Sequence, residues 1–296
     1  MILVTGATSQ VGIVLVRKLV ESSYTVRCLV RKTSDIGEIK SLGVELVYGD
    51  IEDCNSIKKA LADVDTVVHI AGIWRADPLI SACEQHRLKG KVIFIGSTSR
   101  FKKLESIDEK EKLLAGQMCI AEEQIIKSNL NYVILRPTML YGIDRDKNIL
   151  QIIRFMHRFR FYPLIGSGDA LKHPVYVGDV VNAAISCIND ENISKKDYII
   201  AGKQQIKHRE MLNTIRNNLP FKAFVLRVPV FAAYIAVFVY KLIKPCSYIN
   251  YAMVKRVNEN MSYDIEPAVR DFEYNPVDFE TGVKNQIAYL IEKGIL

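Results

Sequence analysis

The chain has 296 residues, 49% of them hydrophobic and 25% charged, which excludes a disordered, collagen-like or low-complexity protein and leaves ample chain for a core. The formal net charge is +7, yet ten Lys/Arg and a single acid, Glu210, fall between Lys203 and Arg256, so the basicity is local. Local basicity points to a contact surface or an anionic ligand, and no nucleic acid is expected as a partner.

Apolar runs at 2–5, 25–30, 44–48, 66–70, 91–96 and 131–136 predict strands. Each is rich in Val, Ile and Leu with little polar alternation, as strands buried on both faces are. Between them Val11–Glu21, Asn55–Ala62, Ala76–Leu88 and Glu109–Lys127 read as helices. This alternation predicts a parallel sheet covered on both sides. Beyond Gly142 the pattern loosens into a basic, aromatic stretch, Gln151–Tyr162, then Pro163 and a Gly166-Ser167-Gly168 turn. A short run His173–Val177, a helix from Asp179 and a strand Asp197–Ala201 follow. The expected fold is therefore α/β, a Rossmann-type doubly wound parallel sheet with a smaller, mainly helical C-terminal domain. Residues 1–143, with 173–201 returning to them, are expected to form the first domain, and 144–172 with 202–296 the second. The chain opens directly on Ile2-Leu3-Val4-Thr5, so no cleavable leader is expected and the cytoplasm is the expected compartment. Cys28, Cys54, Cys83, Cys119, Cys187 and Cys246 lie far apart with no C-x-x-C, so reduced, mostly buried thiols and no metal site are expected.

The strongest motif is Thr5-Gly6-Ala7-Thr8-Ser9-Gln10-Val11-Gly12, which leaves the first strand and opens a helix. Gly6 permits the tight turn, small residues at 7–9 let backbone N–H groups approach a pyrophosphate, and Gly12 allows close helix–strand packing. The segment resembles the TGxxGxxG loop of the short-chain dehydrogenase/reductase superfamily, particularly its NAD-dependent epimerase/dehydratase relatives. Ser9 stands where the family has its middle glycine. Gly49-Asp50-Ile51 resembles the family's adenine-binding turn, and His69-Ile70-Ala71-Gly72 the strand end beside the cofactor ribose. Arg136-Pro137-Thr138 with Tyr141-Gly142 resembles the strand end near the nicotinamide, and Val175-Tyr176-Val177-Gly178-Asp179-Val180 a later family signature. The resemblance covers about residues 1–210. It implies that Gly6, Thr8, Ser9, Gln10, Val11, Gly12, Asp50, Ile51, Ile70, Ala71, Gly72 and Pro137 bind a dinucleotide. The second strand ends in Arg31-Lys32 rather than an acid. Two cations there suit the 2′-phosphate of NADP(H) over NAD(H), the alternative being a solvated strand end.

Enzymes of this superfamily use a Ser or Thr after the fifth strand and a Tyr-x-x-x-Lys on the next helix, the Lys lowering the Tyr pKa. Here the hydroxyl element is Thr98 with Ser97 beside it. The Tyr and Lys positions fall on Leu114 and Met118, and no Tyr occurs between Trp74 and Tyr132. With the short connection from Gly72 to Lys91, this resembles the atypical branch, including complex I accessory-subunit-like and NmrA-like proteins. Lys102, Lys103, Lys110 and Lys112 read better as a solvated helix start than as a replacement acid. His69 reads as an ordinary strand histidine, whereas His173 and Tyr176 are the candidate substrate contacts, with a structural His before Pro as the alternative.

Val228–Tyr240 is thirteen residues without a charge, flanked by Arg227, Lys241 and Lys244, and too short to span a bilayer. The favoured expectation is a buried helix beginning near Pro229 beneath the second domain. The alternatives are a helix lying in a membrane surface, with Lys/Arg toward anionic lipid, or a homo-oligomer contact. Arg154–Tyr162 interleaves cations and aromatics and reads as a surface helix with snorkelling Arg stems, or as a phosphate grip. The expected function is an NADP(H)-binding protein without the Tyr-x-x-x-Lys pair, acting as sensor or accessory protein, with a membrane or protein contact through 203–256. The alternative is an active oxidoreductase or nucleotide-sugar epimerase with a non-standard site.

Overall fold

The computed structural model describes residues 1–244 and 251–296; Cys246 lies outside the described residues. Seven strands, β1 (Ile2–Thr5), β2 (Val26–Val30), β3 (Glu45–Tyr48), β4 (Thr66–His69), β5 (Lys91–Ile95), β6 (Asn131–Pro137) and β7 (Lys196–Ile200), form one sheet. Their order is β3-β2-β1-β4-β5-β6-β7 and every pairing is parallel. This is the expected doubly wound Rossmann-type sheet. The order reverses between β1 and β4, where Val4 lies opposite both Cys28 and Val68.

Side-chain alternation divides the strands between two cores. Ile2, Val4, Ile93, Ile95, Val133 and Leu135 face helix α1 (Gln10–Glu21) and the helix Val177–Asn189. Leu3, Val92, Phe94 and Ile134 face the helices Cys54–Ala60, Ala76–Gln85 and Glu109–Lys127. Lys91 ties the sheet to the helix Val177–Asn189, its ammonium donating to the Cys187 and Asp190 carbonyls, both at 2.6 Å. A cation at these orphan carbonyls complements the helix dipole. Cys28, Cys83 and Cys187 are buried, and burial pushes each thiol up to about 12, which leaves them unreactive packing groups.

A third core lies beyond Gly142. The helix Ile149–Phe159 buries Ile149, Leu150, Ile152, Ile153 and Met156 and turns Arg154, His157 and Arg158 outward, the snorkelling surface helix. It packs with the helices His208–Asn218 and Phe279–Glu292 around Tyr141. A Cβ on Gly282 would lie 2.0 Å from the Tyr141 hydroxyl, so that contact requires a glycine.

The helix Val230–Ile243 begins after Pro229 as expected, but it is not buried. Only Ala233 and Val237 are buried along it, whereas Phe231, Leu242 and Ile243 are 68%, 68% and 73% exposed. The reason is the narrowness of its seat. Ile165, Val228, Tyr251 and Val254 contact one stripe and nothing among the described residues covers the rest. Among the described residues no helix is long and apolar enough to cross a membrane.

Candidate functional site

The sheet's carboxyl edge at the β1–β4 reversal opens into a cleft of about 520 Å³. In doubly wound sheets ligands bind at this switch point. The turn after β1 makes the cleft's floor. Gly6 has φ +74, and a Cβ there would sit 2.7 Å from the Ala71 nitrogen. A Cβ on Gly12 would sit 2.3 Å from the Gly6 carbonyl oxygen, so α1 approaches its own loop as closely as a glycine allows. Ser9 is the N-cap of α1, its hydroxyl accepting from the Gly12 N–H at 3.1 Å. Its φ of −79 needs no glycine, which accounts for serine at this position. With Gly12 satisfied by Ser9, the N–H groups of Gln10 and Val11 remain without intrahelical partners at the positive end of the helix. Arg145 fixes the loop from outside, donating to the Thr8 carbonyl at 2.8 Å while pairing with Asp35 and Glu38, each at 3.4 Å.

Gly6, Thr8, Ser9, Gln10 and Val11 line the cleft. Toward β2 and β3 it is lined by Arg31, Ser34, Asp50 and Ile51, and along β4 by Ile70, Ala71 and Gly72. Past β5 and β6 come Ser97, Met118 and Leu140, and Lys147 completes the lining from the loop that follows. This elongated run of small residues over a helix N-terminus, with a cation at one end, fits an extended dinucleotide whose pyrophosphate rests on the loop.

Six of the expected residues stand outside the lining. Gly12 is packed behind the loop, Lys32 is exposed past the strand end, and the Pro137 carbonyl accepts from the Thr98 N–H at 3.1 Å and hydroxyl at 3.3 Å. Thr98 is thus buried and turned into β6, so Ser97 is the hydroxyl that reaches the cleft, contrary to the expectation from sequence. His173 is buried, donating from Nε2 to the Gly202 carbonyl at 2.8 Å, and burial lowers its pKa. Tyr176 packs edge-on against Tyr141, 5.8 Å between ring centroids. Neither lines the cleft: His173 is held at the strand start by Gly202, the structural role common for a His before Pro, and Tyr176 packs against the third core. Met118, at the position of the family's Lys, lines the cleft, as do Trp74, Arg75, Leu140 and Lys147, which no motif singles out. A signal for Trp74 did exist in Gly72, whose φ is +97 and whose Cβ would meet the indole at 2.8 Å.

His69, fully buried at the end of β4, bridges the Thr5 hydroxyl (Nδ1, 2.8 Å) and the Gly72 carbonyl (Nε2, 3.0 Å). Burial lowers its pKa to about 4, so it is neutral, donates from Nε2 and accepts from Thr5. His208 is likewise lowered to about 4, by burial and by Lys172. In the unfolded chain both would titrate near 6.5, so the unfolded state binds more protons between pH 6.5 and 4 and stability falls as the pH drops through that window. The cost is about 2 kcal/mol per histidine at pH 5. Asp179, raised to about 6 by burial, acts oppositely and returns about 1 kcal/mol over the same interval. Urea unfolding should therefore show lower stability at pH 5 than at pH 7, and His208→Gln should reduce the difference. Equal or greater stability at pH 5 would contradict neutral buried imidazoles.

Residues 6–154 match the model of a family described as NAD(P)H-binding. Over 97% of its length the chain is 24% identical to a 2-alkyl-3-oxoalkanoate reductase of Shewanella oneidensis, covering 85% of that protein. Over 70% of its length it is 25% identical to the mitochondrial NADH dehydrogenase [ubiquinone] 1 alpha subcomplex subunit 9 of Arabidopsis thaliana, covering 55% of that subunit. Among solved structures it is similar to the UDP-glucose 4-epimerase of Thermotoga maritima with UDP-glucose, TM-score 0.75 and 16% identity, over 99% of both chains.

Proposed function

The chain belongs to the NAD(P)H-binding family, and on that premise we propose that it binds NADP(H) in the switch-point cleft without the family's standard proton-transfer pair, serving as a cofactor-binding sensor or accessory protein. The observation that carries this reading is the lining. Among the described lining residues there is no Tyr, His, Glu or Cys, and Met118 faces the cleft where the resemblance expects the Lys. The similarity to a subunit of a mitochondrial NADH dehydrogenase [ubiquinone] agrees with an accessory role. A second reading, a reductase with a non-standard site, is favoured by the full-length similarity to a reductase and by a hydroxyl, Ser97, and an amine, Lys147, in the cleft lining. The proposal includes a dinucleotide domain of 1–143 with 173–201, supported by the pairing of β7 with β6, and a smaller domain of 144–172 with 202–296 that offers a contact surface through 203–256.

Arg31 is assigned the 2′-phosphate. It is an exposed cation at the cleft end where β2 stops, with its backbone N–H held by the Ser34 hydroxyl at 3.2 Å. A charge-assisted hydrogen bond contributes about 1.5–3 kcal/mol, or roughly 10–100-fold in affinity. Arg31→Asp should weaken NADPH by that factor and invert the NADPH/NADH preference, read by calorimetry. An unchanged ratio would remove the assignment.

A further inference from the structure

The helix Val230–Ile243 leaves bare side chains in adjacent pairs four residues apart, from Val230/Phe231 to Leu242/Ile243. That spacing keeps them on one broad face. The strand Phe224–Val228, which leads into this helix, exposes Phe224 and Leu226 and pairs in register with Phe161–Ile165, setting Phe224 opposite Phe161. Phe159, exposed at the end of the preceding helix, joins Phe155 and Phe161 in one ring cluster. An apolar, aromatic surface thus continues from the ring cluster across the two-stranded sheet to the helix.

The stretches that build it carry one sign of charge: no Asp or Glu occurs from Lys147 to Gly168, from Met211 to Lys244 or from Tyr251 to Asn258, and Asp169, paired with Arg209 and near Arg227, stands at the border. Arg158, Arg160, Lys222, Arg227, Lys241 and Lys244 stand on these stretches. The Arg160 guanidinium lies 4.3 Å over the Phe221 ring and Lys241 5.0 Å over Tyr251, so cations and rings are interleaved. A second copy of the chain docked through the same face would bring these six cations against the same six, twelve charges in all, with one Asp169 from each copy to offset them, since a two-fold contact repeats one patch on both sides. An anionic surface answers them.

We propose that this face binds the anionic surface of a phospholipid bilayer, the helix Val230–Ile243 lying in the interfacial plane with its rings and aliphatic chains among the acyl boundary and the flanking Lys and Arg on phosphate headgroups. The inference rests on the proposed contact through 203–256 and names its partner; it does not depend on which dinucleotide the cleft takes. Fourteen residues are too few to span a bilayer, which leaves the plane as the helix's place.

The test is flotation of the full chain with vesicles of phosphatidylcholine alone and of equal parts phosphatidylcholine and phosphatidylglycerol, with sedimentation velocity in parallel. Expected is binding to the phosphatidylglycerol vesicles, weakened by salt, and a monomer in their absence. Phe231→Glu with Phe238→Glu should lower vesicle affinity at least about tenfold while the thermal midpoint stays at or above the parent's. Lys241→Glu with Lys244→Glu, which leave the apolar face intact, should also lower it. Absence of flotation at low salt, or flotation indifferent to both pairs of substitutions, overturns the proposal. So does a dimer in solution that Phe238→Glu dissociates, which would assign the face to a second copy and leave the broader contact reading standing.

Discussion

Gly12→Ala is expected to lower the affinity of the cleft for a nicotinamide dinucleotide by roughly 10²–10⁴-fold, because two charge-assisted hydrogen bonds, each about 1.5–3 kcal/mol, lose their geometry. The added methyl carbon would lie 2.3 Å from the Gly6 oxygen and 2.7 Å from two Ala7 backbone carbons, so rotation of a side chain cannot relieve it. The start of α1 must move away from the loop. That movement displaces the Gln10 and Val11 N–H groups, which the fold aims at the cleft through the Ser9 cap. Unfolding of the variant in urea serves as the control that it retains a cooperative fold. A folded Gly12→Ala protein that binds dinucleotide within threefold of the parent would show that the phosphates do not rest on this loop.

Glu122→Ala is expected to cost about 3–5 kcal/mol of stability, the largest effect of a single truncation away from the cleft. Glu122 is 1% exposed on the helix Glu109–Lys127, and its Oε2 accepts from Arg136 Nε at 2.9 Å and Nη2 at 2.6 Å and pairs with Arg100. Arg136 is buried on β6 and also pairs with Asp197 on the neighbouring β7. Removing Glu122 leaves the Arg136 guanidinium in the interior with only the half-exposed Asp197 to answer it, and a buried charge stripped of its buried partner costs far more than the pair contributed. Glu122→Leu combined with Arg136→Met should therefore recover most of the loss. The pair also bears on the cleft, since the same helix carries Met118 to its wall. A loss below about 1 kcal/mol in urea unfolding of Glu122→Ala would contradict this account of the pair.

Much of the fold was legible because its local signals agree. Runs such as Val92-Ile93-Phe94-Ile95 have no polar face, and only strands buried on both sides tolerate that. The helix Glu109–Lys127 starts where read because Asp108 caps it, accepting from Lys110 and Glu111. The phosphate loop was legible because Gly6 and Gly12 answer steric demands at fixed spacing. What was missed depends on tertiary placement. Whether Ser97 or Thr98 reaches the cleft is decided by the turn after β5, which spends the Thr98 hydroxyl on Pro137. His173 is a candidate contact by its place in the later family signature and a structural residue by its place before a proline, and only the fold, which gives its ring the Gly202 carbonyl, separates the two. Lys147 and Arg145 arrive from a loop without periodicity. The run Val228–Tyr240 was read as buried on composition, and composition does not reveal that the surface beneath it admits one narrow stripe.

Calorimetric titration of the purified protein with NADPH and with NADH decides whether the cleft at the β1–β4 reversal takes NADP(H). Micromolar or tighter NADPH with markedly weaker NADH is expected. Binding of neither nucleotide would contradict it and leave the sheet as a scaffold. Equal binding of both would keep the loop and contradict the role given to Arg31.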